Sequence, residues 1–136
     1  MSITLNISST DGIVLNRPMS AGEQIVEIFF EDQAAYDHLL GHNVQLVRLS
    51  DKDDDDLRNR LAAWMDWRMP GSLASRAPEG AEFLGGTMEM TAGNRAYFHV
   101  NLEPGDYAWI AEVSDPADKN MLITFTIPGN TADTQN

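Results

Sequence analysis

The side chains in this sequence that could bind a metal ion are histidines, methionines and carboxylates, because the 136-residue chain has no cysteine. Thioether sulfur suits Cu(I), and imidazole suits copper and zinc. Met65 and Met69 are spaced one helical turn apart, and Met88 and Met90 would share one face of a strand. Methionine is also a flexible filler of hydrophobic cores. We therefore favour packing over Cu(I) binding for these four residues.

The sequence carries no pattern typical of catalysis. It lacks the Gly-x-Ser-x-Gly nucleophile turn, the phosphate-binding loop and the His/Glu spacing of zinc proteases. His99 alternates with apolar residues in a strand-like segment, with Asn101 and Asp106 as candidate hydrogen-bond partners. A hydrogen-bonded strand histidine is the simpler interpretation. We therefore predict that the chain is not an enzyme.

The chain is strongly acidic, with a net charge of −12 from 21 acidic and nine basic residues. Such a surface repels phosphate backbones, which argues against nucleic-acid binding. It favours solubility, and the alternative is an acidic docking face for a cationic protein partner. No run of about 18 apolar residues is present, so no membrane span is predicted. Residues 1–9 show neither the cationic nor the apolar region of a signal peptide.

Alternation of apolar and polar residues predicts short strands separated by turns that contain Gly and Pro. The predicted strands are 3–8, 13–15, 24–31, 43–50 with one bulge, a short segment around 87–90, 95–102, 106–113 and 121–127, and the stretch 72–82 is predicted to be a loop. Many short strands favour an all-β antiparallel sandwich.

One helix is predicted to begin at the aspartates 53–56, since carboxylates at an N-terminus interact favourably with the helix dipole. Leu57, Leu61 and Trp64 then share one face, and Pro70 ends the helix. The aspartates lack the alternating ligand spacing and the glycine of a calcium loop, so capping is favoured over Ca²⁺ binding.

Three segments resemble those of bacterial cupredoxins, the blue-copper proteins. They are GHNVQLVRL at 41–49, LEPGDY at 102–107 and MLITFTI at 121–127, with the helix between the first two. The resemblance covers residues 13–128 and implies a Greek-key antiparallel β-sandwich with one inserted helix. In the second segment a Pro-Gly turn precedes Tyr107, whose hydroxyl can return to the main chain of the turn. We expect one domain over residues 1–128 and a flexible polar tail over 129–136.

The resemblance also implies where a type 1 copper site would lie. The family places a histidine before an asparagine on one strand, matched here by His42, and then the ligands Cys-x4-His-x4-Met. On that register Ala111 replaces the thiolate, Pro116 replaces the second imidazole and Met121 keeps the axial thioether. Neither alanine nor proline has a donor atom, so type 1 copper is not expected. Tyr107 and Ala111 should share one strand face, opposite to Glu112.

Three functions remain open at this point. We favour a non-catalytic binding or accessory module that has no resident cofactor and lies in the periplasm or outside the cell, as the resemblance implies. The alternative is a copper carrier with a weak site of another type, built from His42 and Met121, with His38 or Glu112 as an optional further ligand. A second alternative is an immunoglobulin-like adhesion module, in which case the fold alone would not indicate a function.

Overall fold

The computed structural model describes residues 3–32, 41–66, 75–113 and 116–129. In these ranges the chain forms a β-sandwich with one helix. The strands are β1 Ile3–Ser8, β2 Gly12–Leu15, β3 Gly22–Phe30, β4 Gln45–Leu49, β5 Ala81–Gly86, β6 Arg95–Leu102, β7 Gly105–Ile110 and β8 Leu122–Ile127, and the helix is α1 Asp55–Trp64. None of the helical segments in the described ranges is long and apolar enough to cross a membrane. The boundary between the domain and its tail stays a prediction.

Each sheet has four strands. The first sheet has the order β2-β1-β3-β6, and the second has the order β5-β4-β7-β8. Neighbouring strands are antiparallel except β1 and β3, which run parallel. The register of β4 against β5 shifts between Leu46 and Val47 because β5 has one extra residue, Leu84, at this point. Strand β4 itself pairs with β7 without interruption, so the bulge predicted in 43–50 lies in the neighbouring strand. The apolar residues of β4 change parity because both of its faces are buried.

The main core lies between the two sheets, and a smaller core lies between the second sheet and α1. Strand β7 contributes to both because its side chains alternate between the faces. Tyr107 and Trp109 enter the main core, whereas Ala108 and Ile110 pack with the smaller one. The predicted alternation is confirmed, and it continues to Ala111 in the main core.

The helix is shorter than predicted. Its N-cap is Asp54, whose carboxylate accepts a hydrogen bond from the Leu57 amide at 3.2 Å. It ends at Trp64 rather than at Pro70, because Met65 leaves the helical conformation and the Asp66 amide donates to the Ala63 carbonyl three residues back. The chain has therefore tightened its last turn well before the proline.

Strand β5 was assigned incorrectly from the sequence, which predicted a loop over 72–82 and a strand around 87–90. The strand occupies Ala81–Gly86, and the later segment forms only an isolated bridge between Met90 and His42. Phe83 packs against the Trp64 ring with centroids 5.5 Å apart. A Cβ at Gly85 would come within 2.9 Å of the Phe98 ring. The glycine therefore allows close packing of a strand and does not mark a turn.

Candidate functional site

The positions that the resemblance assigns to copper ligands lie in segments that are hydrogen-bonded to one another at one end of the sandwich, which we call the ligand end. Two bonds close the segment after β7: the Ala111 amide donates to the Met121 carbonyl at 2.9 Å, and the Met121 amide donates to the Pro116 carbonyl at 2.8 Å. A third bond, 2.9 Å long, joins the Asn43 side-chain oxygen to the Glu112 amide. Asn43, which follows His42, is thus in direct contact with Glu112, which follows Ala111.

His42 is fully buried and anchored at both its side chain and its main chain. Its Nε2 lies 2.9 Å from Asp32 Oδ1, and an ionised carboxylate only accepts, so Nε2 carries a proton. The Asp32 carboxylate also accepts from the Ser9 amide at 3.0 and 3.1 Å. On the main chain, the bridge to Met90 is closed by bonds of 3.0 and 2.8 Å. His42 therefore links four segments of the chain.

Ala111, Pro116 and Met121 are all buried at the ligand end. Ala111 and Met121 have no exposed surface and belong to the main core. A methyl group and a pyrrolidine ring carry no lone pair for a metal, and the chain has no cysteine elsewhere. The residues present do not fit a type 1 copper ion, which needs a thiolate and two imidazoles.

Glu112, the residue after Ala111, lies at the same end and is half-buried. Burial raises the pKa of its carboxyl above the usual range, and repulsion from Glu89 raises it further. Glu89 itself accepts a hydrogen bond from the Gly41 amide at 2.9 Å. Nowhere in the described ranges do three histidines or carboxylates form a group that could hold a metal ion. His38, another proposed ligand, lies outside those ranges.

The methionines do not come together as the alternative Cu(I) site requires. Met65 belongs to the smaller core, beneath α1, whereas Met90 packs against the main core. Met88 is 76% exposed. Met69 lies outside the described residues. Of the three methionines that the structure describes, Met65 and Met90 therefore pack in hydrophobic cores, as the sequence analysis favoured, and Met88 does not.

Three further polar residues, His99, Asp106 and Asp32, have surroundings that the sequence did not predict. His99 is exposed and lies opposite Ile25 on the outer face of the first sheet. The Asp106 carboxylate, its expected partner, accepts instead from the Lys52 amide at 3.0 Å and from the Thr126 hydroxyl at 2.9 Å. The role of Asp32 was missed, and the only signal for it was a carboxylate immediately after an apolar strand.

The opposite end of β7, which we call the corner end, contains the predicted tyrosine contact. The Tyr107 hydroxyl donates to the Glu103 carbonyl at 2.6 Å, so this prediction is confirmed. The Arg48 guanidinium donates to the Pro104 carbonyl at 3.0 Å and lies over the Tyr107 ring at 5.6 Å from its centroid. The turn before β7 is thus held by one hydroxyl and one guanidinium.

Solved structures of auracyanins and of an azurin superimpose on nearly the whole chain. Reduced auracyanin from the photosynthetic bacterium Roseiflexus castenholzii matches with a TM-score of 0.53 at 12% identity, over 93% of this chain and 95% of that one. Auracyanin B matches with a TM-score of 0.53 at 18% identity, over 93% and 87% of the two chains. An azurin from Methylomonas sp. strain J matches with a TM-score of 0.50 at 12% identity, over 94% and 95%.

The chain has the cupredoxin fold. These likenesses favour that fold over the immunoglobulin-like alternative, and at such low identity they concern the fold alone. No protein-family model matches the sequence, and no curated protein matches it as a relative.

Proposed function

We propose that this cupredoxin-like chain is a non-catalytic module that has lost its type 1 copper centre and acts by binding another protein. One observation supports this most: the ligand end keeps its main-chain framework while Ala111 and Pro116 fill two ligand positions with buried apolar groups. We expect a domain that works by binding a partner at its surface to retain the hydrogen-bonded main chain of the ligand end without the donor atoms that would bind copper.

Met121 supports the proposal through packing. It is fully buried in the main core together with Ala111. Burying a methionine side chain contributes about 1.5–3 kcal/mol to stability, so its presence is explained without a metal. Met121 therefore has a structural role at the position of an axial ligand.

His42 supports the proposal through hydrogen bonding. A buried imidazole is costly unless its polar atoms are hydrogen-bonded, and here the Asp32 carboxylate accepts a hydrogen bond from Nε2. The same carboxylate holds the Ser9 amide after β1. Removing His42 would thus loosen the ligand end of the first sheet, which explains a histidine at this position in the absence of copper.

The class of partner follows from charge. The net charge of −12 favours a cationic partner, and the ligand end contributes two carboxylates that repel each other, Glu89 and Glu112. A cationic group between them would relieve that repulsion. Such binding weakens as salt is added, because screening reduces the attraction. By resemblance, we propose a location in the periplasm or outside the cell.

The decisive experiment restores the two lost ligands. In the double variant Ala111→Cys/Pro116→His we expect Cu(II) to give the intense visible absorption of a copper–thiolate bond, because the two new donors would then lie with His42 and Met121. The matched control is Ala111→Ser/Pro116→His, which lacks only the sulfur and should stay colourless. The native chain should give no such band. If the double variant folds but shows no copper–thiolate absorption, the four side chains do not come close enough together to bind one copper ion.

A second candidate function is copper carriage through His42, and one observation favours it. Metal-bound histidines commonly donate their other ring N–H to a carboxylate, as His42 does to Asp32. Calorimetry with Cu(I) and Cu(II) separates the two functions. Weak binding, or none, supports the binding module. Tight binding that is lost in His42→Ala supports the carrier and overturns the first proposal.

A further inference from the structure

Strand β6 forms an edge of the first sheet and pairs, among the described residues, only with β3. The register between them is continuous from Gly22 opposite Leu102 to Phe29 opposite Arg95. The Phe30 amide donates to the Asn94 carbonyl at 3.0 Å, which fixes the phase of the antiparallel ladder. The main-chain N–H and C=O groups that point away from β3 are therefore those of residues 95, 97, 99 and 101.

Strand β6 lacks the features that usually protect an edge. Its eight residues include no carboxylate, lysine, proline or glycine, and no bulge interrupts it. Of the other three edges, β2 has only four residues, and β5 contains two glycines and a bulge. Strand β8 also lacks these protective residues, but it has six residues where β6 has eight. An unprotected edge of this length is a template for another strand.

The side chains at this edge leave apolar surface incompletely covered. Phe98 and Val100 pack against the main core but remain half-buried, and Leu84 of the neighbouring edge strand β5 is 38% exposed. The opposite face of β6 is polar, with Tyr97 65% exposed. A strand added here must alternate apolar and polar side chains in the same way, and it must avoid adding negative charge. Strand β6 itself meets both conditions.

We propose that β6 pairs antiparallel with β6 of a second copy of this chain, around a two-fold axis at His99. This register places Arg95 of one copy opposite Glu103 of the other on both sides of the axis. Within one copy Arg95 already pairs with Glu27 at 3.0 Å and Glu103 with Arg48 at 3.1 Å, so the contact across the axis joins two existing ion pairs. A strand without carboxylates also lets two chains of charge −12 approach each other. A single strand pair buries less than the roughly 1,200 Å² of a standard interface, so the dimer is weak and depends on concentration.

Sedimentation equilibrium over a wide range of protein concentration tests the dimer. We expect a monomer–dimer equilibrium that shifts towards the dimer as salt screens the repulsion between the copies. His99→Glu and His99→Lys should both weaken it by at least about tenfold, since each puts two like charges together on the axis. If net charge alone mattered, the lysine variant would instead associate more strongly. That outcome, or a native chain that stays monomeric into the millimolar range, overturns the proposal.

The control variant is Val14→Glu, which adds a carboxylate to the 45% exposed Val14 on the opposite edge strand of the same sheet. It should leave the association constant unchanged, and dissociation by this variant would move the interface to β2. Hydrogen exchange gives an independent readout. On raising the concentration, the amides of Tyr97 and His99 should become protected, whereas Phe98 is already protected by β3. Uniform protection of the strand at all concentrations would contradict an open edge.

Discussion

The two ends of strand β7 are maintained by different means. At the corner end, side chains hold two carbonyls of the turn: the Tyr107 hydroxyl bonds the Glu103 carbonyl, and the Arg48 guanidinium bonds the Pro104 carbonyl. At the ligand end, four residues further along the chain, Ala111 has only a methyl group at the position that the resemblance assigns to a thiolate. The corner end thus retains the full pattern of the resemblance, and the ligand end retains part of it.

The retained part shows what the fold requires. Asn43 still bonds the Glu112 amide, and His42 still has a partner for its side chain and its main chain. The two positions without a donor atom, Ala111 and Pro116, are those that the resemblance assigns to metal ligands. Hydrogen bonds between segments therefore hold the ligand end together in this chain, and its stability should be indifferent to copper and to chelators.

The largest expected effect lies at the ligand end and involves Gly41. A Cβ at this position would overlap the main-chain carbonyl of Met90, which accepts the His42 amide. Gly41→Ala must therefore push the two segments apart, and we expect it to lower the free energy of unfolding by about 3 kcal/mol or more. Urea denaturation measures the loss.

The control for Gly41→Ala is Gly93→Ala, since nothing lies within 4 Å of a Cβ at Gly93. Gly93 has a positive φ of 85°, so its replacement costs only the backbone strain of that conformation, about 1 kcal/mol. Equal destabilisation by the two variants would mean that the bridge between His42 and Met90 does not hold the ligand end.

The next effect lies at the corner end. Tyr107→Phe removes the 2.6 Å bond to the Glu103 carbonyl but keeps the ring stacked on Phe125. We expect a loss of about 1–3 kcal/mol, the range for leaving a buried polar group without its partner. Tyr97→Phe is the matched control, because Tyr97 is exposed and its hydroxyl makes only a 3.4 Å contact. A denaturation midpoint unchanged by Tyr107→Phe would show that the corner contributes nothing.

The corner end could be predicted from the sequence, and the ligand end only in part. A Pro-Gly turn before Tyr107 specifies a local structure, because the interacting groups are four residues apart. The partner of His42 is Asp32, which arrives from a different strand, so no spacing along the chain reveals it. The same holds for β5. Its two glycines suggest a turn from the sequence, and only the fold shows that Gly85 packs against the Phe98 ring. Local sequence patterns were thus sufficient to predict most strands and the corner, but not the contacts between layers.

The two ends also differ in how protonation affects them. At the corner end, the hydrogen bond from the Lys52 amide lowers the pKa of Asp106 below its usual range, assisted by the Thr126 hydroxyl. At the ligand end, burial and then Glu89 raise the pKa of Glu112. A lowered pKa means that the unfolded state binds more protons, so stability rises with pH; a raised pKa has the opposite sign.

The smallest expected effect is on the pH dependence of stability, which should have opposite signs for Asp106 and Glu112. Asp106 stabilises the fold above its unfolded pKa, and this contribution is lost as the pH falls through its lower folded pKa. Glu112 costs stability above its raised folded pKa, and this cost disappears as the pH falls below its unfolded pKa. At neutral pH, Asp106→Asn should thus be less stable than the native chain and Glu112→Gln more stable, with both differences narrowing in acid. Urea midpoints across the acid range measure this contrast, and a Glu112→Gln variant less stable at neutral pH would contradict it.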